Sequence, residues 1–376
     1  MSTAGLLAQR NLTRNRVRFV VSVGGVALAL ALTFALDAIY AGVANQLTTY
    51  IDRSGADVWV GQSGVRNLHM VASWLPDSVT DEVRAVEGVA QAMPILYSTD
   101  TIAAGEERAV AYVIGLPAGA LMGGPWDVVE GSARVGPGEI VVDRGFARKA
   151  GVTIGDTVTV LGGESRVVGL SQGTASLVNS VAFVPFDDFR AMRGGAAVVS
   201  FVLVRVAPGV SADAVAAGIE RQVPGVTAQT ASVFSIQERR LVMDMSADVI
   251  SIMNAIGFVV GLAVVALTVY IATLARRREY GVLKALGARN RVLYRVVLVQ
   301  AVLSVAVGFL VGVAFAVLLA VVVPKAGLGL ELAITASSLA KVALFAVVIA
   351  GIAAILPIRQ VSGVDPAIVF RRGAAI

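Results

Sequence analysis

The chain has 376 residues, 56% of them hydrophobic and only 15% charged, with a mean hydropathy of +0.78. That balance excludes an ordinary soluble domain and places the chain in the membrane class. It has no Cys and only His69, which excludes a disulfide framework and a His-rich metal site.

The net charge of +5 hides an asymmetry. Residues 1–18, 276–295 and 359–376 hold 14 Lys or Arg against two acids, Glu279 and Asp365. Residues 41–245 hold 15 cationic side chains against 21 acidic ones. Basic segments stay on the cytoplasmic side because Lys and Arg resist translocation. The pI of 9.7 therefore reflects membrane topology, and no basic stripe interleaved with aromatics points to nucleic acid.

In chain order, Leu6, Leu7, Leu12 and Val17 alternate with Arg10, Arg14, Arg16 and Arg18, the pattern of an amphipathic helix along the inner membrane surface. Residues 19–36 carry no charge and read as the first span. A cleaved signal peptide is the competing reading, but the run is long and the later spans need an orientation that a retained first span supplies.

Residues 41–245 form one large non-membrane segment, with 45–51 prolonging the first span as a stalk. Strands are predicted at 56–60, 109–114, 139–142, 156–160 and 198–206, and helices at 79–86 and 212–222. Gly151, Gly155, Gly162 and Gly163 break the middle strands in the manner of a small barrel or sandwich. DEVRAVEGVAQAMP (81–94) and GIERQVPGVTAQT (218–230) share an order of helix, Gly-Val turn and strand, a weak internal repeat. His69 and Trp74 read as loop packing, and Asp187-Asp188 as the cap of a short helix.

Three further charge-free runs, 249–275, 296–324 and 342–358, read as spans. The whole is an α-helical membrane protein of four transmembrane helices, with an α+β extracytoplasmic domain between the first and second. Its divisions are 1–40, 41–245 and 246–376. No G-x-x-x-x-G-K-[ST] loop cradles a phosphate, so ATP hydrolysis is not expected in this chain. The spans carry neither an ion relay nor a Pro-interrupted pair, which argues against a self-sufficient carrier. Gly257 and Gly261, and Gly308 and Gly312, are spaced for close helix packing.

Between the second and third spans lies ARRREYGVLKALGARNRVLYR, seven cations against Glu279. Residues 278–286 read as a short helix with Val282, Leu283 and Leu286 in one apolar stripe, ended by Gly287. From composition alone it is either a membrane-hugging connector or a docking helix. The stretch resembles the signature of the MacB/FtsX-like family of ABC transporter permeases, with Glu279, Gly281, Leu283, Lys284, Ala285, Leu286, Gly287 and Ala288 fitting the motif. Tyr280 stands where that family often has an aliphatic residue. The opening LAQRNLTRNRVRFVVSVGGVALALAL and closing LPIRQVSGVDPAIVFRR are similar to the family's ends, and GEIVVDRGFARKAGVTIGDTVTV to its barrel-like part.

The resemblance implies a non-catalytic subunit paired with a second permease copy or paralogue. A separate ABC ATPase would bind ATP and Mg²⁺; this chain would hold no cofactor. Residues 276–291 would be its coupling helix, with Glu279, Tyr280, Gly281, Val282, Leu283, Lys284, Leu286 and Gly287 the contact residues. Such a chain sits in the cell membrane with both termini cytoplasmic, in contact with membrane lipids and sometimes an adaptor protein. Mechanotransmission would then drive export or extraction of lipid, lipoprotein, peptide or drug. The alternative is a signalling device that activates a cell-wall hydrolase or sensor, and a third reading is a membrane-anchored binding protein without an ATPase.

Overall fold

A computed structural model describes residues 16–174, 180–325 and 332–363. Residues 1–15, most of the predicted amphipathic helix, and 364–376, most of the closing tail, lie outside the described residues. The chain divides into two compact units, and the division falls inside two long helices, α1 (Arg16–Arg53) and α6 (Ala231–Ala275).

The α+β unit comprises residues 43–245. Its strands are β1 (Val58–Gln62), β2 (Leu75–Pro76), β3 (Val89–Ala104), β4 (Glu107–Leu116), β5 (Val128–Gly131), β6 (Glu139–Asp143), β7 (Thr157–Val160), β8 (Gly163–Ser171), β9 (Ser180–Pro185), β10 (Val198–Val199), β11 (Phe201–Val206) and β12 (Val226–Thr230). The helices between them are α2 (Val79–Arg84), α3 (Arg144–Ala150), α4 (Phe186–Met192) and α5 (Ala212–Gln222).

The internal repeat is structural. The order β12-β1-β11-β3, antiparallel throughout, makes β1-α2-β3 and β11-α5-β12 two interleaved split βαβ units. Both Gly-Val turns place their glycine in the left-handed region, Gly88 at φ +88° and Gly225 at φ +77°. Alternation along the strands fills both faces of this sheet. Val58, Val60, Val202 and Val204 join Val83, Val215 and Ile219 of the helices, while Trp59, Phe201 and Leu203 pack with Tyr50, Phe183 and Phe234 on the other side.

The far half of β3 leaves that sheet for a second one. The pairing runs β3-β4-β9-β6-β8-β7 and returns to β3 through Ala103 opposite Thr159, closing a small barrel. Ile102, Val113, Ile140, Val142, Val158, Val167 and Val184 fill its interior. The predicted strand over 198–206 is two strands, because Ser200 turns to β3: its N–H donates to the Ile95 carbonyl and its Oγ accepts from Tyr97 N–H.

The helical unit contains the first part of α1, the last part of α6, α7 (Arg277–Ala285), α8 (Asn290–Lys325), α9 (Ala336–Ala353) and α10 (Ile355–Ser362). Among the described residues four stretches are long and apolar enough to cross a bilayer: Val23–Arg53, Ser251–Ala275, Asn290–Val323 and Ala336–Gln360. The first is 56% buried against 22%, 22% and 35% for the others, and Val26, Leu30 and Phe34 of α1 sit in the core cluster of the helical unit. Pro357 divides α9 from α10, since its ring opposes the carbonyl of Ala353, the last residue of α9. The helices overrun the charge-free runs of the sequence, and two of the charges they take in lie against each other. Buried Asp37 of α1 pairs with Lys341 of α9 at 3.3 Å, the arrangement a charge needs at the end of a span.

Candidate functional site

The turn between the second and third spanning stretches is built from strict local geometry. Arg276 departs from helical geometry (φ −109°, ψ 12°) and separates α6 from α7. At the other end Gly287 takes φ +89°; its N–H donates to the Lys284 carbonyl, and Ala288 N–H donates to the Leu283 carbonyl. This is a Schellman ending, which a residue with a Cβ enters only with strain.

Neighbouring positions on a helix differ by about 100°, and the eight predicted contact residues divide accordingly. Tyr280 is 3% exposed and shares a core cluster with Val265, Val269, Leu293 and Val297. Gly281 is buried, and Leu283 packs against the same cluster. Val282 is 43% exposed and Leu286 80% exposed. The predicted stripe of Val282, Leu283 and Leu286 is thus not one face: Leu283 turns inward beside Tyr280, and only Val282 and Leu286 look out. Glu279 lies on the exposed side, 3.9 Å from the guanidinium of Arg276. Lys284 Nζ donates to the Ser362 carbonyl at 2.9 Å and ties α7 to the end of α10.

The outward face therefore carries Arg278, Glu279, Val282, Ala285 and Leu286, all exposed. The inward face, Tyr280, Gly281, Leu283 and Lys284, fixes the helix to its own unit. The anchoring role of Tyr280 is legible only as an apolar residue three before Leu283, a spacing the predicted stripe left out.

The four packing glycines all lie against other helices of the unit, and each meets α1. A Cβ on Gly257 would fall 2.6 Å from Thr33 Oγ1, and one on Gly308 2.5 Å from Val26 Cγ1. Gly261 would meet Ala29 and Ile349, and Gly312 the Ala27 carbonyl oxygen at 3.0 Å. The small residues of α6 and α8 let both helices approach α1 closely.

In the α+β unit, Asp187 and Asp188 stand in the first turn of α4 without capping it. Asp188 Oδ2 accepts from Gly138 N–H at 2.6 Å and fastens the loop before β6 instead.

These parts define a class: a four-span membrane protein with an α+β domain between its first and second spans and a short basic helix between the second and third. Residues 19–222 match the MacB-like periplasmic core domain, and residues 251–366 match the FtsX-like permease C-terminal domain. An uncharacterised ABC transporter permease of Mycobacterium bovis is 23% identical over 365 residues, covering 96% of this chain and 98% of that one. One from Mycobacterium tuberculosis is 24% identical over 368 residues, with the same coverage. Among solved structures, the periplasmic region of MacB from Actinobacillus actinomycetemcomitans aligns with TM-score 0.39 and 12% identity, over 49% of this chain and 94% of that one. The extracellular domain of the transporter YknZ from Gram-positive bacteria aligns with TM-score 0.37 and 16% identity, over 46% and 99%.

The chain belongs to the MacB/FtsX-like family of ABC transporter permeases. It is a permease subunit of such a transporter, and membership implies a partner ATPase.

Proposed function

We propose that the exposed face of α7 is where a separate ATPase engages this chain, and that its motion is passed through α6 to the α+β unit. The ATPase holds ATP and Mg²⁺; this chain supplies no phosphate-binding loop and turns over no ATP itself. A second permease copy completes the assembly, both termini and α7 are cytoplasmic, and the α+β unit is exported. The work done is export or extraction of an amphiphilic cargo from outside the membrane.

The observation that carries this reading is Leu286, 80% exposed in a turn that both neighbouring spanning stretches stop short of. Lipid-facing exposure is ordinary within a span; an exposed Leu beside Val282 outside one marks a partner surface. The rims of the patch are charged, with Arg277, Arg278 and Glu279 exposed around it, which suits an interface with an apolar centre.

Replacing Leu286 with Asp puts an unpaired charge into a desolvated groove, which costs several kcal/mol. Replacing Arg277 with Ala removes an exposed charge contributing about 0–1 kcal/mol. Co-purified ATPase should therefore be lost with Leu286→Asp and retained with Arg277→Ala. Wild-type amounts with both variants reduce α7 to a connector.

A further inference from the structure

The α+β unit contains a cavity of about 420 Å³ that the transport reading does not use, between the loop over 68–74, β3 and α4. Its volume falls within the ~300–1,000 Å³ common for small-molecule pockets. Much of the lining is apolar: Met70, Val71 and Trp74 are exposed large side chains on the loop, and Leu96 and Phe189 line the cavity with them. Scattered single apolar residues need no explanation, but three on one loop around one cavity form a patch.

The loop is held in place from within. Glu238 of α6 is fully buried; its Oε2 accepts from Leu68 N–H at 2.6 Å, and its Oε1 meets His69 Nδ1. Asn67 Oδ1 accepts from Met70 and Val71 N–H, and Ser73 Oγ accepts from Gln62 N–H. So the cavity wall is preformed and does not depend on a ligand to shape it.

The polar side of the cavity holds two ion-paired arginines. Arg190 and Arg193 line it, and their carboxylate partners Asp77 and Asp100 do not. Among the described lining residues none is acidic. Ser98 and Thr99 add hydroxyls beside Arg193. The β3 wall offers little to an extended peptide, because 96–99 already pair with β4 and Tyr97 N–H donates to Ser200 Oγ. A peptide there would bury its own backbone groups without partners.

We propose that this cavity binds an amphiphile with a single hydrocarbon chain and an anionic head, the chain against Met70, Val71, Trp74 and Phe189 and the head at Arg190 and Arg193. It names the cargo class for the export reading and rests on it. Capture is scored on the full chain without any ATPase, so a negative result here leaves the docking of α7 untouched.

The test uses the full-length chain in nanodiscs of zwitterionic lipid, irradiated with palmitate carrying a diazirine, and with the matching neutral alcohol. Adducts are mapped by mass spectrometry. The expected result is labelling of 68–74 and 96–99 in addition to the spans. Ala72→Trp and Ala196→Trp, exposed positions on different parts of the lining, should each lower cavity labelling while span labelling and thermal unfolding stay unchanged. Arg193→Gln should weaken capture of the acid by about tenfold and leave the alcohol alone, charge-assisted hydrogen bonds being the strong ones. Labelling confined to the spans, or cavity labelling that survives both tryptophans, overturns the site. Displacement by an acidic peptide but not by unlabelled palmitate overturns the ligand class.

Discussion

Tyr280 carries a buried phenol whose oxygen has no hydrogen-bond partner among the described residues. Burial holds its pKa above the usual tyrosine value, with Arg276 opposing the shift. A hydroxyl in that position adds a desolvation cost without a compensating bond. Tyr280→Phe should therefore leave thermal stability unchanged or raise it, while Tyr280→Ala should lose about 3–5 kcal/mol, the usual cost of emptying an aromatic site. A loss of stability in the Phe variant would show that the hydroxyl has a partner after all. The same inward face decides how Leu283 reads. In sequence Val282, Leu283 and Leu286 are equally apolar, and local spacing cannot say which side the neighbouring helices occupy. That information resides in α6 and α8, whose Val265, Val269, Leu293 and Val297 cover Tyr280 and Leu283. A charge at Leu283 would disturb the chain's own core before it disturbed a partner.

Within the helical unit, the surroundings of α1 leave little room for change. A Cβ on Gly308 would lie 2.5 Å from Val26 Cγ1, 2.7 Å from its Cβ and 3.3 Å from the backbone nitrogen of Ala27, so a helix would have to shift. Gly308→Ala should cost about 1–3 kcal/mol, as overpacking does. Gly24, exposed on α1 with nothing among the described residues within 4 Å of its Cβ position, is the control: Gly24→Ala should be neutral or add up to ~1 kcal/mol through helix propensity. Thermal unfolding of the two variants in the same detergent separates close packing from a general effect of glycine. Equal behaviour would contradict the packing account. Part of the α+β unit was legible because its periodicity is local: α5 occupies the predicted 212–222, and β1, β4, β6 and β7 fall within two residues of expectation, whereas α3, β2, β5, β8 and β9 were not predicted. Barrel closure was not, since it rests on Ala103 meeting Thr159 across more than fifty residues. Nor was the cavity, which forms only when the loop over 68–74, β3 and α4 come together.

For the whole molecule, the long charge-free runs indicated the order of spans and domain, and charge asymmetry their orientation, because translocation acts on summed Lys and Arg and not on fold. The same asymmetry predicts orientation. With no native Cys, a single Cys at Ser63 in the α+β unit should react with an impermeant thiol reagent in intact cells, and one at Asn290 should not. Both positions are exposed, so a reversed pattern would invert the topology. The proposed contact is narrower: an ATPase meets the outward face of α7 and not its inward one. Single cysteines at Leu286, Val282 and Leu283, treated with a short bifunctional crosslinker in membranes holding the native ATPase, test it directly. A permease–ATPase adduct is expected from Leu286→Cys and Val282→Cys and none from Leu283→Cys. An adduct from Leu283→Cys alone, or from none of the three while the ATPase still co-purifies, would contradict it.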